Sequence, residues 1–190
     1  MLRILKSSLS SKLEKIWIPL HLGVMDLKGE IRVESLCIFF CLAITLHNLE
    51  EAIWLPKWSQ NGSKFQKSVS AKEFHFAVIV ITMLAYLSSF SYTYFPESHI
   101  VKWVFVGFVG SMILNAIFPH LIVTILTRQY APGLMTGILL MIPINSFIII
   151  KMFNNQLIRW SDFIISTVVV GVSLLLLIPL LFKIGRKIIL

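Results

Sequence analysis

Long runs of apolar residues, each bounded by proline, tryptophan or a cluster of charge, set the pattern of this chain. Five runs, at 33–55, 74–94, 101–127, 132–153 and 163–182, each have about the 20 residues a helix needs to cross hydrocarbon. Pro56 ends the first, Pro96 follows the second, and Pro132-Gly133 opens the fourth. Trp54, Trp58, Trp103 and Trp160 fall near run ends, where an aromatic belt belongs. The pattern predicts an all-α fold, a polytopic transmembrane helix bundle of about five spans forming one domain over 31–190. Loops are short except at 56–73, so consecutive spans should pack as antiparallel neighbours. No internal repeat is visible, which argues against an inverted-repeat transporter.

Residues 1–30 show a different period. Leu2, Leu5, Leu9, Leu13, Ile16, Trp17 and Leu20 share one face at about 100° per residue, with serines and charges opposite. This predicts a basic amphipathic helix lying at the bilayer interface. The alternative is a leader ahead of a later start at Met25. Lys12, Glu14 and Lys15 interrupt any signal-peptide apolar core.

Composition narrows the class. With 57% hydrophobic and 14% charged residues, the chain has too little charge for an ordinary soluble domain. The net charge of +8 lies between the apolar runs rather than along one stripe, which suits lipid headgroups and not nucleic acid. Cys37 and Cys41, four apart, read as small apolar fillers and form no disulfide framework. There is no glycine-rich phosphate loop, Gly-x-Ser-x-Gly elbow or Cys-x-x-Cys pair.

Candidate chemistry lies in Leu46-His47-Asn48-Leu49-Glu50-Glu51, inside the first run. Residues three and four apart share a helix face, so His47, Glu50 and Glu51 project into one arc of about 100°. Each ionised carboxylate near mid-membrane costs about 2.5–3.5 kcal/mol, so these groups should face the bundle and find partners. Counting 1.5 Å per residue, Glu50 lies about 9 Å beyond the middle of its span and His120 about 9 Å beyond the middle of the third, toward the same side. Thr136 falls at a matching level on the fourth span, and Tyr130, Arg128 and His75 lie nearer the headgroups. Pro119 frees the carbonyl of Asn115 and should open the third helix beside His120. Asn145, beyond the middle on the other side, reads as an interhelical hydrogen-bonding residue. His75 either caps the site or meets headgroups, while His21 and His99 read as surface residues.

These residues resemble the HXXEE membrane-protein family. His47-Asn48-Leu49-Glu50-Glu51 carries its signature, followed by Asn115-Ala116 with His120 and by Tyr130-Ala131-Pro132-Gly133-Leu134. The likeness covers roughly 33–155 and implies a membrane location and a set of key residues, not a reaction. A looser likeness, to glutamate-type intramembrane proteases, fails because Leu55 stands where those enzymes carry an arginine.

Three functions follow. One is an intramembrane hydrolase of a small-molecule, lipid or peptide substrate in the cell membrane. In it Glu50, Glu51, His47 and His120 are catalytic, supported by Asn115, Tyr130, Thr136 and Arg128, and water is activated either by the glutamate pair sharing a proton or by a bound metal. His47, Glu50 and His120 could hold a divalent metal, zinc or iron, with Glu51 as base or as orienting partner. Alternatively, a shared proton in the same layer serves a proton- or ion-coupled transporter. The third is a non-catalytic ligand-binding, immunity or assembly protein whose polar layer fixes helix packing.

Overall fold

The computed structural model describes residues 31–60 and 68–188. The interfacial helix expected over 1–30, with His21, lies outside them. The chain divides into two compact units, Met1–Leu36 and Cys37–Leu190. Of the first, residues 31–36 are described, with an ion pair between Arg32 and Glu34 at 3.5 Å.

Among the described residues, five helices are long and apolar enough to cross a membrane: α1 (Val33–Gln60), α2 (Ala71–Tyr94), α3 (His99–Thr127), α4 (Leu134–Asn154) and α5 (Trp160–Ile188). This is an all-α, multi-pass membrane architecture. Its patterning is inverted relative to a soluble bundle. On α1, Ile38, Leu42, Leu46, Leu49 and Ile53 are exposed at three- and four-residue steps, while His47, Asn48 and Glu50 are buried. In hydrocarbon the apolar face costs nothing to expose, whereas polar groups must be paired within the protein.

Polar contacts set the pairing of α1 and α2. The Ser89 hydroxyl donates to the Cys37 carbonyl, Thr45 Oγ1 meets Tyr86 OH at 2.8 Å, and Asn48 donates to Thr82 Oγ1 at 2.7 Å. Rising numbers on one helix match falling numbers on the other, so the two run antiparallel. Between α3 and α5 small residues let the backbones approach: a Cβ on Gly107 would fall 2.6 Å from the Ser166 carbonyl, and one on Gly110 would overlap Thr167. At one end, Glu73 forms a capping box with Ser70 at the start of α2 and also pairs with Arg186 of α5.

Several span boundaries differ from the sequence expectation: α3 starts at His99, α5 runs from Trp160 to Ile188, and three others have a local cause. Helix α1 continues past Pro56 to Gln60. Proline lacks the N–H that would bond to the carbonyl four residues back, Ala52. Nε2 of His75 on α2 donates to that carbonyl at 2.8 Å instead, so the helix loses no partner there. Helix α2 starts three residues early because Ser70 caps it. Helix α4 starts at Leu134, since Gly133 has φ 94° and stands outside the helix.

Two helices are locally opened. In α3 a wide π turn, Ala116–Leu121, contains Phe118 at φ −126°, ψ 120° and the cis Phe118–Pro119 bond. In α4 a second π turn, Gly137–Met141, lies against the first, with space for a Gly137 Cβ only 3.2 Å from that of Ala116. Wide turns of this kind recur where helices carry functional groups.

Candidate metal centre and carboxylate clamp

Glu50, on the buried face of α1, reaches the start of α4. Its Oε1 accepts from the Gly133 N–H at 2.8 Å and from the Tyr130 hydroxyl. Its Oε2 accepts from the Thr136 N–H at 2.9 Å and the Thr136 hydroxyl at 2.6 Å. A helix start leaves its first amides without partners and carries partial positive charge, so the carboxylate caps α4 from a neighbouring helix. Gly133 permits the close approach: its left-handed φ suits glycine, and a Cβ there would fall 2.7 Å from Cε1 of His120.

Glu51, one residue on, faces the imidazoles. Its Oε1 is 2.9 Å from Nε2 of His120 and 3.9 Å from Nε2 of His47. The two rings meet edge to face with centroids 5.2 Å apart. His120 is carried inward by the opened turn of α3, and both rings are buried. One donor atom from each of His47, Glu51 and His120 lies within 4.8 Å of the others, which makes this a group able to hold a metal ion. The Asn115 amide nitrogen stands 3.2 Å from Nε2 of His47 and 3.4 Å from Nε2 of His120. Nδ1 of His47 stands 3.1 Å from Oγ1 of Thr136.

Most of the residues singled out from sequence therefore meet, in an arrangement that differs from the expected one. The acid that shares a donor group with His47 and His120 is Glu51 and not Glu50 as expected, since both oxygens of Glu50 accept from α4 and Tyr130. Asn115, Tyr130 and Thr136 touch the cluster, whereas Arg128 is exposed and ends α3 with φ 55°. Among the described residues, neither atom of the buried Asn145 amide has a partner, so the expected interhelical hydrogen bond is not formed there. His75 serves the Ala52 carbonyl, and His99 is exposed. Gly133 was not singled out as a site residue, although Pro-Gly ahead of an apolar run was a visible signal of a helix start. Tyr130 lies in the loop between α3 and α4, where burial and then the Glu50 carboxylate push its phenol up to about 12.

A cleft lined by Leu55, Trp58, Pro119, Val123, Ala131 and Pro132 reaches His120. Its volume is about 10 Å³. That is roughly the space one water needs, and far too little for an acyl chain.

The family described as "Protein of unknown function with HXXEE motif" matches residues 38–148. Over 150 residues the chain is 67% identical to the uncharacterized protein YrkK of Bacillus subtilis (strain 168), a match covering 79% of this chain and 95% of that one. No solved structure matches. With the motif residues gathered around one buried polar centre, and with more than half of its length matched, this chain belongs to the HXXEE family of membrane proteins.

Proposed function

We propose that this protein is a metal-dependent hydrolase of the cell membrane, its ion held by His47, Glu51 and His120. The observation that carries this reading is the contrast between the two acids. Both oxygens of Glu50 are saturated by four hydrogen bonds, as a packing device should be. Among the described residues, Glu51 engages two imidazole nitrogens through Oε1.

The spacing suits a small divalent ion. Bonds of about 2.0–2.1 Å in a tetrahedron put neighbouring donors about 3.3 Å apart. The separations of 2.9 and 3.9 Å from Glu51 to the two rings fall on either side of that value. Two imidazoles and one carboxylate leave a fourth position for water, the arrangement of hydrolytic zinc sites, and the same donor set suits non-haem iron. A bound ion brings the pKa of its water to about 7. An ion held by His47, Glu51 and His120 would supply a nucleophilic water for the carbonyl carbon of an ester or amide, the hydrogen of that water going to the leaving atom as its bond to carbon breaks. The cleft beside His120 has room for one water on its way to the centre. The substrate is a small-molecule, lipid or peptide carbonyl compound that enters from the bilayer.

Metal analysis of the detergent-purified, zinc- or iron-equilibrated protein tests this reading. The expected content is about one equivalent, falling below about 0.2 in Glu51→Gln and staying full in the surface control His99→Gln. The loaded protein should hydrolyse a small fluorogenic acetyl ester or acetyl-amide probe in mixed micelles, and Glu51→Gln should not. Wild type with under about 0.2 equivalents removes the metal site. A full metal content with no Glu51-dependent turnover of either probe removes the hydrolase.

A further inference from the structure

We infer that the Thr136 hydroxyl, held by Glu50, fixes the proton of His47 on Nδ1 and so presents the Nε2 lone pair to the ion-binding position. This rests on the metal reading for its purpose, but not for its geometry.

Glu50 faces four donors, two of them backbone amides that can only donate: Gly133 N at 2.8 Å and Thr136 N at 2.9 Å. Beside these amides the Thr136 hydroxyl also donates, to Oε2. The 2.6 Å contact between Thr136 Oγ1 and Glu50 Oε2 therefore consumes the one proton of the Thr136 hydroxyl. That oxygen has nothing left to donate, so at its 3.1 Å contact with His47 Nδ1 it must accept. A neutral imidazole carries one N–H, and the hydrogen bond at one nitrogen decides the state of the other. Nε2 is then a lone pair.

A second contact, from a different helix, agrees. The Asn115 amide nitrogen, a donor, stands 3.2 Å from His47 Nε2, which must accept there. Nε2 is also the atom of His47 turned toward Glu51 Oε1. Carboxylates and hydroxyls that set the tautomer of a ligating histidine form the outer shell of many metal sites, and losing one costs about 10–100-fold in metal affinity. Thr136 is on this account a positioning residue acting through His47. It also explains why a clamp at the start of α4 and a metal centre share one helix turn of α1: the clamp sets the orientation of the ligand.

The test uses the full chain in detergent, as wild type, Thr136→Val and Thr136→Ser. The tautomer of His47 is read from ¹⁵N-histidine spectra of the metal-free protein at about pH 8, where an unperturbed imidazole is neutral. Its signals are assigned by their loss in His47→Gln, and zinc affinity is measured by titration. Wild type should carry the proton on Nδ1. Thr136→Val should release that preference and weaken zinc by about 10–100-fold, and Thr136→Ser should restore both. A wild-type proton on Nε2 overturns the inference, whatever the variants do. So does a folded Thr136→Val with unchanged zinc affinity, or a Thr136→Ser as impaired as the valine variant. If wild type takes up no zinc, the hydrolase reading fails alone, and the tautomer measurement still decides this one.

Discussion

Glu50 and Glu51 are consecutive on α1, yet their carboxylates have no partner in common. Glu50 accepts from Tyr130, Gly133 and Thr136, and Glu51 faces His120 and His47. One residue turns a helix by about 100°, enough to aim two adjacent acids at different neighbours. The first holds α4 to α1, and the second completes a donor set across α1 and α3.

Loss of charge at the two positions should therefore be read by different instruments. Glu50→Gln sets an amide N–H against the donors of α4, and leaving buried donors unsatisfied costs about 1–3 kcal/mol. Thermal unfolding in detergent should show a clear loss for Glu50→Gln and a smaller one for Glu51→Gln in the metal-free protein. The reverse order would mean that the clamp is assigned to the wrong acid.

Tyr130 supplies a pH dependence. Its phenol, at about 12, lies above the unfolded value of about 10. A raised acid of this kind contributes its full stabilisation below about pH 10 and loses it as pH rises through about 12. Phenolate absorbance should show one late-titrating tyrosine that disappears in Tyr130→Phe. A Tyr130 that ionises near 10 would refute its bond to Glu50.

Pro56, Ala52 and His75 form a compensated defect. His75→Phe should cost about 1 kcal/mol by leaving the Ala52 carbonyl unbonded. Adding Pro56→Ala returns an N–H to that carbonyl, so the double variant should recover most of the loss. A double-mutant cycle with no coupling would show that the ring does not stand in for the missing amide.

Asn145 is fully buried, and neither amide atom has a partner. Replacing it with Leu, of similar volume, removes polar groups whose burial costs about 1–3 kcal/mol. Asn145→Leu should melt at a higher temperature than wild type. A lower one would reveal a hydrogen-bonding partner such as an internal water.

The legible and illegible parts of this protein divide by range. The existence and approximate placing of five spans follow from runs of apolar residues, because transfer of each side chain into hydrocarbon is a local, additive quantity. The shared depth of His47, Glu50, Glu51, His120 and Thr136 followed from the constant rise of a helix, and the opening of α3 from the missing N–H of Pro119. What those rules leave free is rotation about each helix axis. Whether Glu50 or Glu51 meets the imidazoles depends on how α1 is turned against α3 and α4, and a turn of about 100° exchanges the two. The same freedom decided Asn145, whose depth was readable and whose lack of a partner was not, and His75, whose partner is a carbonyl exposed by a proline on another helix. Hydropathy and helical period by themselves determined a five-span membrane protein with one polar layer. Only the packing of α1, α3 and α4 decided that one acid caps a helix while its neighbour faces two histidines, because pairing is set by contacts between segments distant in the chain.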